Sequence, residues 1–166
     1  MQRIAAGDRA AFAVLVRRHQ HAVTSLAYRL LGRWDAAEDV CQNVFVRVWL
    51  RAGSYQPQAR FQTWLYRVVA NLCWDERRRS ARRAEPLTLA TNASVSDPAE
   101  LERAERAAQV RAAVSQLSDR QRLALVLHRY DGLSHEEIAQ ITGWSVSAVE
   151  SCLVRAYERL RRTLAE

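Results

Sequence analysis

Aromatic and arginine side chains crowd together in the run Phe61-Gln62-Thr63-Trp64-Leu65-Tyr66-Arg67-Val68-Val69-Ala70-Asn71-Leu72-Cys73-Trp74-Asp75-Glu76-Arg77-Arg78-Arg79, which opens on rings and closes on guanidinium groups. Bases stack on ring faces while guanidinium groups neutralise a phosphate backbone, so this pairing of residue types suits single-stranded nucleic acid. Leu65, Val68, Val69 and Leu72 form a helical stripe within the same run. Trp64 or Trp74 could join that stripe, and core packing is at least an equal alternative for any one ring. Arg77, Arg78, Arg79, Arg82 and Arg83 could be only a solvated helix end, but unpaired charge at this density favours an anion surface.

A second constellation lies near the C-terminus. Ser134-His135-Glu136-Glu137 places a serine three residues before a glutamate, the spacing of a capping box that satisfies free amide donors at a helix start. Ile138, Ala139 and Ile141 continue that helix for about two turns until Gly143, and Ser145 restarts it with Val146, Val149, Leu153 and Ala156 on the inner face. A short helix, a tight glycine turn and a second helix make a helix-turn-helix, whose second helix enters the major groove of DNA. Ser145 opens that helix, and Ser147, Ala148, Glu150, Ser151 and Arg155 face outward. Glutamate accepts from a cytosine amino group, and arginine holds phosphate or reads guanine. The alternative is an αα-hairpin with a solvated face.

A third candidate is the stretch Trp34 to Trp49. Val40, Val44 and Val48 recur every four residues, while Asp35, Glu38, Asp39, Gln42, Phe45 and Trp49 fall elsewhere around the helix. Aromatics outside a core stripe suggest a protein-docking face, unless Phe45 and Trp49 simply widen the core.

These three groups hold no P-loop, metal constellation or nucleophile with a base partner, so an enzyme is not expected. His19, His21, His128 and His135 are dispersed. Cys41, Cys73 and Cys152 lie far apart, with no Cys-x-x-Cys pair, and are expected as reduced, partly buried thiols. The formal charge is +7, all 25 basic residues being arginine. Fifteen of them lie in residues 1–83 against six acids, so the basic surface is N-terminal. Such charge favours a polyanionic partner, with nucleic acid first and an acidic membrane surface second. No apolar run approaches a bilayer span, and Met1-Gln2-Arg3-Ile4 lacks the apolar stretch of a signal peptide, so cytoplasmic residence is expected.

The elements that must position these groups are helices throughout. Phe12, Leu15, Val16 and His19 fit one helix, Leu26, Leu30 and Leu31 a second, and the valine stripe a third. Gly32 and Gly53 mark breaks, and the polar segment Ser54 to Arg60 reads as a loop before a fourth helix from Phe61 to about Arg79. From Ala84 the composition turns to Pro, Thr, Ser and Asn, a linker expected over residues 84–100. Beyond it, Leu101 to Leu117 and about Arg120 to Tyr130 read as helices, with Ser118-Asp119 as a cap between them and a break at Asp131-Gly132. The expectation is an all-α chain of two small helical domains, 1–83 and 101–166, joined by a flexible linker.

The runs D-A-A-E-D-V-C-Q-N-V-F-V-R-V-W, F-Q-T-W-L-Y-R-V-V-A-N-L-C-W-D-E-R-R-R and L-S-H-E-E-I-A-Q-I-T-G-W-S-V-S-A-V-E-S-C-L-V-R-A-Y-E-R-L, in this order, resemble regions 2 and 4 of the extracytoplasmic-function (ECF) sigma factors of the sigma-70 family. The resemblance implies a transcription initiation factor that directs core RNA polymerase to promoter DNA and assists melting. It implies that the helix carrying Asp35, Glu38, Asp39, Gln42, Phe45 and Trp49 docks on the clamp helices of the polymerase β′ subunit, with the β flap as a further contact. Phe61, Trp64, Asn71, Asp75, Arg77 and Arg78, with the preceding loop, would capture the non-template strand of the minus-ten element. Ser145, Ser147, Glu150, Ser151 and Arg155 would read the minus-thirty-five duplex. It further implies an anti-sigma factor, often membrane-bound, and no cofactor or small-molecule substrate. Asn43 stands where an acid is common in the family, and Glu150, Cys152 and Tyr157 where many members carry Lys, Arg and Arg.

Two readings from other classes compete with this one. A stand-alone repressor or activator would use only the helix-turn-helix and dimerise through the N-terminal helices. A binding module for structured RNA would rest on the arginine cluster alone.

Overall fold

The computed structural model describes residues 1–57, 60–83 and 98–165, and all regular structure among them is helical. The chain forms two compact units. The first carries α1 (Gln2–Ala5), α2 (Arg9–Leu31), α3 (Trp34–Leu50), a 3-10 turn (Ala52–Ser54) and α4 (Phe61–Arg83). The second carries α5 (Pro98–Ser115), α6 (Asp119–Arg129), α7 (His135–Thr142) and α8 (Val146–Leu164).

In the first unit, α2 is one helix of 23 residues where two were expected. No glycine or proline lies between the two apolar stripes, so nothing stops the helix until Gly32, whose φ of 74° closes it with an N–H donated to the Tyr28 carbonyl. Asp8 caps its start, accepting the Ala11 N–H at 2.9 Å and the Arg3 guanidinium at 2.8 Å. Those donors hold the Asp8 carboxyl below the usual carboxylate range. The core draws Val23, Leu26 and Ala27 from α2, Val40, Val44 and Val48 from α3, and Leu65, Val68, Val69 and Leu72 from α4, so both expected stripes point inward. Cys73 is buried among them, and burial pushes its thiol pKa up. Cys41 and Cys152 are half-buried free thiols. Among the described residues, no three His, Cys, Asp or Glu side chains form a group that could hold a metal, and no helix is long and apolar enough to cross a membrane.

The second unit combines the long α5 and α8 with the shorter α6 and α7, and polar caps define the starts of α6, α7 and α8. Ser118 and Ser134 each form a reciprocal capping box, with Gln121 and Glu137 respectively, and the Ser145 hydroxyl accepts the Ala148 N–H. Gly143 ends α7 at a φ of 77°, a left-handed conformation that favours glycine. Leu123, Leu127, Ile138, Val149, Leu153 and Ala156 are buried. Val146, expected on the inner face, is 36% exposed because it occupies the first helical position, beside the turn, while the buried stripe of α8 begins one turn later at Val149.

Arg122 is only 2% exposed, and sequence pattern did not single it out. Its guanidinium donates to the carbonyls of Val114, Ser115 and Leu117, at and just beyond the C-terminal end of α5, where carbonyls run out of intrahelical donors. A positive charge at a helix C-terminus is also favoured by the helix dipole. Helix α5 starts at Pro98, and residues 84–97 of the expected linker lie outside the described residues.

Candidate nucleic-acid interface and docking helix

The start of α4 is an aromatic cluster. Phe61 and Trp64 stand one turn apart with ring centroids at 5.7 Å, and Tyr55, from the preceding loop, meets both edge-on at 6.0 and 5.3 Å. His19 of α2 packs edge-on against Phe61 at 5.3 Å, and burial, with Arg18 beside it, lowers the imidazole pKa and favours the neutral ring. All four rings are half-buried, supported by neighbours yet partly open to solvent. A cavity of about 720 Å³ runs beside them, lined by Arg18, His19, Tyr55, Pro57 and Phe61 together with α1. Supported rings with open area can stack a base without first being ordered, which is what a single-strand platform requires. Sequence reasoning missed Tyr55 and the contribution of His19; Tyr55 lay within the expected loop, but only folding brings α2 to it. Gln58 and Ala59 of that loop lie outside the described residues.

Farther along α4, Asn71 is exposed and Asp75 half-buried. Arg78 pairs with Asp75 at 2.5 Å and Arg79 with Glu76 at 3.0 Å, each three residues apart on the helix. The expectation of a largely unpaired arginine cluster is thus corrected: the acids just ahead of the arginines lie one helical turn away. Both guanidinium groups remain more than 60% exposed, so the pairs are solvent-screened and leave donors for phosphate. Arg77 is half-buried and Arg82 exposed.

On α3, Asp35, Glu38, Asp39 and Gln42 are exposed. Arg33 takes up Asp35 at 2.6 Å and holds its carboxyl below the ordinary range. Phe45, expected outside the core stripe, is only 6% exposed. It lies one position from Val44, close enough to the valine stripe for a large ring to reach inward. Trp49 is half-buried, edge-on to Phe12 of α2 at 5.0 Å. Gln42, Phe45 and Trp49 line a shallow groove of about 460 Å³ between α2 and α3 together with Cys41, Val46 and Leu50. Val46 and Leu50 are 54% and 74% exposed and were missed, although the spacing 42, 46, 50 puts them in one line.

In the second unit, Ser145, Ser147, Glu150, Ser151 and Arg155 are all exposed. Ser147, Glu150, Ser151 and Arg155 recur at three- and four-residue intervals, giving α8 one polar face opposite Val149, Leu153 and Ala156. Arg120, at the start of α6, lies over the Trp144 ring at 4.5 Å and braces the turn between α7 and α8. His135, at the first position of α7, places Nδ1 3.6 Å from a Glu150 carboxylate oxygen.

Comparison with known families agrees with both units. The sigma-70 region 2 profile matches residues 15–83, and the sigma-70 region 4 profile matches residues 107–160. A bundle and a helix-turn-helix in this order are the two regions of the sigma-70 family of RNA polymerase sigma factors. Among curated relatives, the ECF RNA polymerase sigma factor SigE of Mycolicibacterium smegmatis is 38% identical over 98% of the chain, which spans 66% of that relative. The RNA polymerase sigma-H factor of Pseudomonas aeruginosa is 31% identical, with 99% of the chain and 91% of the relative covered. The ECF RNA polymerase sigma-E factor of Escherichia coli is 33% identical over 96% of the chain and 90% of the relative. Among solved structures, CnrH in complex with the cytosolic domain of CnrY superposes with a TM-score of 0.72 at 29% identity, covering 99% of this chain and 94% of that one. The sigma factor RpoE of Bartonella quintana, in complex with the anti-sigma factor NepR, shares the fold at a TM-score of 0.75 and 23% identity, over 93% of this chain and 97% of that one. The chain belongs to the ECF group of the sigma-70 family. The class comprises transcription initiation factors and is not catalytic.

Proposed function

We propose that this protein directs core RNA polymerase to a specific set of promoters and uses binding energy alone to help melt them, with no nucleotide hydrolysis of its own. The observation that carries this reading is the half-open ring cluster of Tyr55, Phe61 and Trp64 at the head of an arginine-bearing helix, on a different unit from the helix-turn-helix. A stand-alone repressor needs a duplex reader; it has no use for a platform for unstacked bases. Extruding a base costs a few kcal/mol, which stacking on these rings can offset.

In this reading α3 docks on the β′ clamp helices through Asp39, Gln42 and Trp49, with Glu38 at the rim and Val46 and Leu50 adding apolar contact, while the second unit meets the β flap. Phe45 supports that surface from beneath, and Asp35 keeps its tie to Arg33. Phe61 and Trp64 receive bases of the non-template strand at the minus-ten element. Asn71 offers an amide to base edges or backbone. Arg77 and Arg78 meet phosphate, with Asp75 orienting Arg78. Ser145, Ser147, Glu150, Ser151 and Arg155 contact the minus-thirty-five duplex. The protein works in the cytoplasm, where an anti-sigma factor, soluble or membrane-bound, holds it inactive until a signal arrives. The functional domains are residues 1–83 and 101–166, with 84–100 connecting them.

The test is co-elution of the purified protein with core RNA polymerase, followed by permanganate probing of unpaired thymines on promoter DNA. Co-elution and a reactive minus-ten region are expected. Tight duplex binding with no polymerase complex and no melting would instead mark a stand-alone regulator.

A further inference from the structure

Glu150 is an exposed carboxylate in the second turn of α8, beside Ser147 and Ser151, and DNA phosphates repel it. A carboxylate held in one rotamer by a neighbour presents its oxygen to a base at a lower ordering cost than a freely rotating one. His135 fills that place. Its Nδ1, at the start of α7, lies 3.6 Å from Oε1 of Glu150 on α8, within ion-pair reach when the imidazole is protonated. His135 is itself backed by His128 of α6, with ring centroids 5.2 Å apart and planes tilted by 53°. The His128 ring is fixed in turn: its Nδ1 lies 3.0 Å from the Leu133 carbonyl, which can only accept, so Nδ1 carries the proton. Three helices thus contribute to one chain of contacts, from His128 through His135 to Glu150. His135 is only 35% exposed and Glu150 55%, so the histidine sits behind the carboxylate while the glutamate faces outward.

We propose that His135 is a positioning residue for promoter reading, holding one oxygen of Glu150 so that the other is presented to a base edge in the minus-thirty-five duplex. This rests on the reading of α8 as the duplex-facing helix. The base edge it suits is an amino donor, as cytosine offers in the major groove. His135 itself touches no base; it acts by limiting the rotamers of Glu150.

The test loads core RNA polymerase with wild-type protein, Glu150→Ala, His135→Ala, His135→Gln or the double Ala variant. Each complex selects from a duplex library randomised across the minus-thirty-five element. Glu150→Ala is expected to flatten the preference at one base pair. His135→Ala should weaken the preference at that same pair by about fivefold, with other positions and total retention unchanged. The double variant should be no worse than Glu150→Ala alone, and His135→Gln, which keeps an N–H donor, should recover most of the preference. If Glu150→Ala flattens a preference that His135→Ala leaves intact, the positioning role is wrong and the duplex-reading assignment stands. If His135→Ala lowers enrichment equally at every position, its role is structural only and the proposal falls. If Glu150→Ala changes no base preference, the assignment of Glu150 as a reader fails and the proposal with it.

Discussion

The two units solve the same folding problem by different means. The first packs long helices against one another through fully buried Val23, Leu26, Val44, Val48, Leu65 and Val69, and this apolar core leaves rings and branched side chains over for its surface. The second relies on helices of 11 and 8 residues, lengths that are marginal without help, and each helix from α6 to α8 starts on a serine whose hydroxyl accepts a backbone N–H. Arg122 adds a buried charge that closes the end of α5. Apolar burial carries both units, but in the second, serine caps also fix the short helices that hold a reading face.

That contrast can be broken where it is sharpest. Arg122→Met should destabilise the second unit by about 3 kcal/mol, because three carbonyls lose a charged donor inside the fold. Hydrogen exchange should show accelerated amides in α5 and α6 and unchanged protection in α2 to α4. Leu26→Ala should give the reverse pattern at about the same cost, through the cavity it leaves. Equal loss in both units from either variant would mean that they do not fold as separate bodies.

The surfaces of the first unit sharpen the comparison further. Leu50→Asp changes a side chain that is 74% exposed, so the melting temperature should hardly move. Affinity for core polymerase should fall about thirtyfold, as expected for an apolar anchor worth about 2 kcal/mol. Competition binding against the wild type measures this. Trp64→Ala should leave polymerase binding intact and shorten the lifetime of the open complex about tenfold, the scale of one lost base–ring stack. Ser134→Ala, the smallest change, should cost about 1 kcal/mol and weaken duplex reading through a frayed α7, with no effect on the first unit.

What could be read from sequence divides along the same line. The serine caps, the glycine stops and the Val40, Val44, Val48 stripe are local signals, each complete within a few residues, and they appear where expected. The continuity of α2 is not evident from its two apolar stripes, one ending at His19 and the next beginning at Leu26, because a stripe marks a face and not an end, and no glycine or proline stands between them. The inward ring of Phe45, the burial of Arg122 and the approach of His19 to Phe61 depend on helices meeting in space, which periodicity along one helix does not encode. The outward positions of α8 followed from helical geometry, but the histidine behind Glu150 belongs to another helix and left no trace in spacing.

The most direct test of the whole account is runoff transcription from a promoter library with purified core RNA polymerase and this protein, freed of any bound inhibitor. Transcripts starting at defined positions downstream of a shared pair of upstream elements, absent with core polymerase alone, are the predicted result. A protein that neither binds the polymerase nor changes where it starts would contradict the account.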